Sequence, residues 1–449
     1  MAEGILFLLA PLALSLFGLP AAWTSPVDRF SPAGRCSAAF VAGVVAFTVW
    51  LTILSTVGIR WSVVSVVLPL GAGSIALAVV LARRAREGSS EVGEPRTLAW
   101  IVGVASFAIG SGHLALAALT SRATSMDYLY FWGVKAQRFA QLGGIDASLL
   151  AEPFASHMHS NYPPLVPLVY GWGIEVAGAL SWQFGLATCA IWLMAAVPLL
   201  RDLLAMRLPL DEATMASSFW FLAFALAVPA AYSAGNAEPP LVLFSSIAIA
   251  ALLSAAPGGD GGARWLALVA LAGVLLTKNE GVIVYALIVA GALAGDLLGG
   301  MRGARLARRA AAMIVFPLAA LGSWLLFEAL HGVPMRDVTR EQAGELSLSR
   351  AGSVGVEFVK NLDAGSAWIA WALAAAVLAV SWRRWRLLLP AIVPALGILL
   401  FLFVYYLHYR GESLGVWISW TMPRVSLNAL GAAIVGAAFA SAPERNTGT

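Results

Sequence analysis

Apolar runs of membrane-spanning length recur from one end of the sequence to the other, and they constrain the chain more than any other feature. They lie near 4–22, 36–57, 62–82, 98–119, 183–200, 212–232, 239–256, 265–280, 281–299, 311–330, 367–382, 387–407 and 425–441. A run of about 20 apolar residues matches the hydrocarbon thickness of a bilayer. Inside lipid the backbone must satisfy its own hydrogen bonds, so such runs become helices. The expected fold class is therefore an all-α polytopic membrane protein. Composition agrees, with 60% of the 449 residues hydrophobic and 12% charged, a balance soluble domains do not have. No basic segment precedes the run 4–22, which reads as a span and not as a cleaved leader.

One further apolar segment, 164–180, opens with "NYPPLVP", whose prolines remove backbone donors and delay a helix. The basic residues decide whether it crosses. If it stays on the outer face, one side collects Arg29, Arg35, the loop 82–96, Arg201, Arg207, Arg264, the loop 301–309, the stretch 383–386 and Arg445, which together hold 17 of the 28 Lys and Arg. Cytoplasmic loops carry such an excess. Thirteen spans follow, with the N-terminus outside, the C-terminus in the cytoplasm, and outer segments at 120–182, 331–366 and 408–424. The formal charge of +4 is thus a topology signal and not the mark of a nucleic-acid partner. Cys36 and Cys189 give neither a disulfide framework nor a metal spacing. "PGGDGGAR" at 257–264 lacks the Lys-Ser/Thr of a phosphate loop and reads as a turn.

On this topology the outer acidic residues gather at helix ends. Asp127 lies in "SMDYLYFWGVKAQRFAQLGG" (125–144), Glu238 in "YSAGNAEPPLVLF", and Glu280 beside Lys278 in "LLTKNEGVIVY". Each has a plain structural explanation. Asp127 would cap a helix, Glu238 would precede a proline at a helix start, and Lys278 with Glu280 would be an interfacial ion pair. Three ionisable groups at one membrane depth point beyond that, because such groups are costly there and mark functional sites by default. Tyr128, Tyr130, Phe131, Trp132 and Phe139 form an interfacial belt, which puts Asp127 and Lys135 at headgroup level. His157 and His159 are too few ligands for zinc, and one of them, His159, is expected to contact substrate. Arg410 and Arg424 come late in the chain on the same face, and arginine suits bidentate phosphate contact.

The order of these features resembles the GT-C class of membrane glycosyltransferases. An Asp follows a span, an aromatic helix with Trp132, Lys135 and a Gly turn comes next, and then "NYPPLVPLVYGWG", "YSAGNAEPPLVLF" and "TKNEG". Bacterial members of that class include protein mannosyltransferase-like enzymes and the aminoarabinose and lipopolysaccharide-core transferases. The resemblance covers roughly residues 98–300. Three extra spans stand before the one that leads into the signature loop, where members usually have that one alone, and Glu238 stands where Asp is common. It implies a GT-C-like bundle of about thirteen transmembrane helices with a juxtamembrane helical loop on the outer face. The divisions are an extra three-span segment (1–97), a catalytic core (98–300) and C-terminal spans (301–449).

The resemblance also implies an enzyme of the bacterial inner membrane. Such an enzyme moves a sugar, with inversion, from a polyprenyl-phosphate donor among the membrane lipids to a glycan, lipid or protein acceptor. Asp127 is then the expected general base, assisted by Glu238. Lys278, Arg410, Arg424 and Lys135 are expected at the donor phosphate, and Trp132, His159, Tyr162 and Glu280 against substrate. A divalent cation held by Asp127 and Glu238 is the one cofactor this reading admits. The rival reading is a multi-pass transporter or flippase for lipid-linked or small polar substrates. Transport needs polar groups near mid-membrane, whereas the span interiors read as almost free of charge.

Overall fold

A computed structural model describes residues 1–24, 26–84, 98–120, 125–152, 158–255, 262–334, 344–362, 367–380, 382–411 and 413–442. Helices carry the regular structure among them. In chain order they are α1 (Ala2–Leu9), running on as a 3-10 helix to Trp23; α2 (Pro32–Thr56); a π-helical stretch (Val63–Ala72) leading into α3 (Gly73–Arg84); and α4 (Leu98–Leu119). The first large loop holds a π-helical turn (Tyr128–Trp132), α5 (Gly133–Leu142), α6 (Ala147–Ala151) and α7 (Leu165–Ala177). Then come α8 (Trp182–Ala205), α9 (Leu210–Ala230), α10 (Glu238–Ser254), α11 (Gly262–Thr277), α12 (Glu280–Leu298) and α13 (Gly303–His331). The last four are α14 (Ala351–Lys360), α15 (Ala367–Val380), α16 (Trp385–His408) and α17 (Leu414–Ala440).

Ten helical stretches among the described residues are long and apolar enough to cross a membrane, which makes this a polytopic helical membrane protein. They match ten of the thirteen apolar runs. The other three runs form α10, α11 and α15, which are shorter, as is α7. The 13 residues of α7 make a rod about 20 Å long at 1.5 Å per residue. That is short of the ~30 Å hydrocarbon core, as is the length of α15, with 14 residues.

α10 is the hub. Nearly every one of its side chains is buried, and it packs against α8, α11 and α17. A helix apolar all round belongs in the middle of a bundle, and its N-terminal Glu238 therefore sits centrally at one end. At the edge, the 3-10 segment 10–23 presses on α2 backbone to backbone. A Cβ on Gly18 would come within 2.0 Å of the Ala39 carbonyl oxygen, and one on Gly43 within 1.9 Å of that of Leu14; small residues permit this kind of approach between membrane helices. α3 and α4 are peripheral, with Val79, Val80, Leu98 and Ile109 exposed, as expected of side chains that meet lipid.

One boundary differs from the sequence expectation in a way that matters. α17 starts at Leu414, well before the run at 425, and so Arg424 lies inside a helix next to Pro423 and not in an outer loop. The residues before it, Leu414, Val416, Trp417, Ile418 and Trp420, are apolar or aromatic and extend the helix naturally. Trp417 stacks on Tyr409 at 5.4 Å, and its indole donates to the Tyr405 hydroxyl at 3.1 Å.

Candidate functional site

Five segments bring charged side chains together at one end of the bundle. Ser125 takes the capping role that the sequence offered to Asp127, since its hydroxyl accepts the Tyr128 N–H at 3.2 Å. The Asp127 carboxylate makes no capping bond to the turn that follows and is turned instead toward α17. There its Oδ2 accepts a hydrogen bond from Nη2 of Arg424 and a long one, 3.5 Å, from the Asn236 amide. Asn236 in turn accepts from the Ser125 hydroxyl, tying the loop after α4 to the α9–α10 turn.

Arg424 also reaches Glu238. Nε and Nη2 lie 3.3 and 3.1 Å from the same Oε1 atom. Lys278, in the short break between α11 and α12, donates to that oxygen at 3.0 Å and lies 3.5 Å from Oε1 of Glu280. Tyr162, from the loop before α7, lies at the Glu280 end of this row, within the electrostatic influence of that carboxylate. Signs alternate along Asp127, Arg424, Glu238, Lys278 and Glu280, so three carboxylates and two cations leave one net negative charge. The middle of the row is dry, with Glu238 and Lys278 side chains 1% and 4% exposed. Its ends are open, with Asp127 at 19%, Arg424 at 25% and Glu280 at 28%.

A buried charge survives only when paired, which explains why Glu238 collects two cations. Its second oxygen, Oε2, is buried without a hydrogen-bond partner, as is Oε2 of Glu280. Two of the plain readings hold, since Glu238 precedes Pro239 at the start of α10 and Lys278 pairs with Glu280; Asp127 makes no capping bond, and Glu238 is bonded to two cations besides. The three sequence-expected acids do come together, and Arg424 and Lys278 join them.

The remaining expected site residues are placed differently. Lys135 is 1% exposed and donates to the His159 carbonyl at 2.6 Å instead of facing the row. Trp132 is buried with its indole N–H unpartnered, so its ring is packed inside, 5.9 Å from Tyr162. The His159 ring stacks on Tyr162 at 4.5 Å. Burial pulls the His159 ring below its ordinary pKa and pushes the Tyr162 hydroxyl well above its own, with the Glu280 carboxylate adding to the effect. Both are therefore neutral near pH 7. Arg410 is exposed and lies beside Gly344, and no contact among the described residues joins it to the row. His157 lies outside the described residues.

Ser125, Asn236 and Glu328 were not singled out in the sequence. Glu328 had a signal: "LLFEALH" puts a carboxylate inside a span. It is 4% exposed and lies in the last turn of α13; Asp296 and Arg309 pair at 2.7 Å where α12 ends and α13 begins. No group of three or more His, Cys, Asp or Glu among the described residues could hold a metal ion. The gap between Asp127 and Glu238 is filled by the Arg424 guanidinium, so as arranged these two carboxylates do not fit a divalent cation.

No protein-family model matches this sequence. No curated protein and no solved structure matches it either.

Proposed function

We propose that this protein is a membrane glycosyltransferase that moves a sugar from a polyprenyl-phosphate donor to a hydroxyl of a glycan, lipid or protein acceptor outside the cytoplasm. On this reading the thirteen apolar runs all cross, α7 lies along the outer face, the N-terminus is outside and the C-terminus is cytoplasmic, in a bacterial inner membrane. The resemblance of residues 98–300 to the GT-C class supports it. The observation that carries it is Arg424, one guanidinium shared by an open carboxylate, Asp127, and a buried one, Glu238.

Such a reaction needs a base for the acceptor and a cation for the departing phosphate. Asp127 takes the proton from the acceptor hydroxyl, and that oxygen bonds to the anomeric carbon. The bond from the anomeric carbon to the phosphate oxygen breaks, its electron pair leaves on the polyprenyl phosphate, and the anomeric centre inverts. Arg424 receives the phosphate with its free N–H groups. As it does so, it shifts off Asp127 and leaves the base unmasked, so the donor must bind before the acceptor can be activated. Lys278 keeps Glu238 and Glu280 in place from the dry side, and Tyr162 and Glu280 border the acceptor. No step is routed through a metal.

A second reading, transport of a lipid-linked or small polar substrate, draws on the carboxylate of Glu328 buried within α13. Replacing the native chain with Asp127→Asn in its host and weighing the polyprenyl-phosphate sugars of a lipid extract separates the two. Build-up of one such lipid, with the mutant protein at its normal level, supports the transferase. An unchanged lipid pool removes it and leaves transport as the reading to pursue.

A further inference from the structure

Lys135 stands apart from the charged row. On α5 and 1% exposed, it sits 5.4 Å from the centroid of the Trp132 ring, with its aliphatic stem packed in the loop core. Glu328, from α13, supplies opposing charge and has one oxygen, Oε1, without a hydrogen-bond partner. The ammonium does not bond to a carboxylate in the row. It donates at 2.6 Å to a backbone carbonyl, that of His159.

That carbonyl belongs to an unusual residue. His159 has φ of 51°, one of two positive values at non-glycine positions among the described residues. A side chain with a Cβ adopts this left-handed region against a steric cost, and such residues persist where their surroundings over-determine them. The same carbonyl oxygen accepts the Tyr162 N–H at 3.0 Å, so the Lys135 bond and the turn bond converge on one atom. The turn then stacks the two rings at 4.5 Å and 26°, with Phe131 edge-on to His159 at 5.2 Å. The Tyr162 hydroxyl of that stack feels the Glu280 carboxylate electrostatically.

We propose that Lys135 is a positioning residue: through the His159 carbonyl it locks the left-handed turn at 159–162, and the turn fixes the His159–Tyr162 ring stack near the Glu280 end of the charged row. The lock is present without substrate. Only its catalytic consequence rests on the transferase reading. This role separates Lys135 from the donor phosphate, because the side chain is buried and its ammonium donates to the backbone of its own loop.

The experiment is hydrogen exchange read by mass spectrometry on the full chain in lipid nanodiscs. Lys135→Met removes the donor and keeps the stem, and amides at 158–162 should then exchange about 10-fold faster, as loss of a charge-assisted hydrogen bond implies. Glycine adopts positive φ freely, so in a His159→Gly background the same Lys135→Met change should alter exchange there by less than about 2-fold, a coupling that a double-mutant cycle detects. Unchanged exchange in Lys135→Met, or an equal effect in both backgrounds, overturns the proposal. If Lys135→Met does not accumulate in the membrane, recovery of the protein by His159→Gly supports the lock and failure to recover it overturns it. Where transfer is measurable, Lys135→Met should lower kcat and leave the donor KM within about 2-fold; a raised donor KM with unaltered exchange would place Lys135 on the phosphate instead. A wild-type protein without transferase activity would refute the functional reading and leave the exchange result standing.

Discussion

Arg424 and Glu238 are 186 positions apart in the sequence, yet two guanidinium nitrogens of the one lie 3.3 and 3.1 Å from a single carboxylate oxygen of the other. The nearer nitrogen also serves Asp127. A buried anion and an accessible one thus depend on the same cation, and anything that draws Arg424 toward itself changes the state of Asp127.

Replacing that cation should abolish transfer without emptying the membrane of protein. Arg424→Met is expected to lower kcat by about 10²–10³, the usual cost of removing a preorganised group from developing charge. Arg424→Lys should recover only part of this, since an ammonium lacks the planar fork that bonds two carboxylates at once. Turnover of donor lipid in membrane vesicles measures both.

Glu238 has a structural task that can be read without any substrate. Glu238→Gln strips the buried Lys278 of its closest counter-charge and should cost about 3–5 kcal/mol, the penalty for breaking a buried pair from one side. Lys278→Met added to it should return much of the loss. Thermal unfolding in detergent reports the two variants directly.

Lys135 should make stability depend on pH. Burial pulls its ammonium from 10.5 down to about 7, against the attraction of Glu328. Between those values the unfolded chain holds a proton that the folded chain has lost, so unfolding free energy rises with pH across that window and the penalty is full below it. The wild-type Tm should therefore gain on that of Lys135→Met between pH 7 and pH 9. A gap between the two that does not move with pH over this interval would count against the assignment.

Tyr128 fills the space left by two glycines. A Cβ on Gly185 would fall 1.6 Å from its hydroxyl, and one on Gly235, at φ of 81°, would meet its ring at 2.9 Å. Gly185→Ala should cost about 1–3 kcal/mol by overpacking. Because Tyr128 follows Asp127 directly, transfer should fall with it. Tm and donor turnover, measured on the same preparation, check the two effects together.

The apolar runs and the meeting of Asp127, Glu238 and Glu280 at one end were legible in the sequence. Hydropathy sets span length, and consecutive spans return the chain to the same face, so acids at alternate helix ends share a level whatever the packing. Partner choice is not periodic and was not legible. The place of Arg424 was obscured because its charge interrupts an apolar run that the helix ignores, starting at Leu414. The spacing of Lys135 from Asp127 suggested a shared face, but the turn between Asp127 and α5 is π-helical, which rotates the two side chains apart. Glu328 was overlooked as a single charge in a long span. The opposite charge that acts on it, Lys135, lies nearly 200 residues earlier (135 against 328), a distance over which no local pattern speaks.

The most direct test reconstitutes the wild-type protein and Asp127→Asn in liposomes that carry both the lipid and the envelope glycan and protein acceptors extracted from the Asp127→Asn strain, and follows free polyprenyl phosphate by mass spectrometry. The wild type should release polyprenyl phosphate as the sugar passes to the acceptor, and Asp127→Asn, equally well inserted, should not. Equal release by both proteins, or none by either, would contradict the transferase reading.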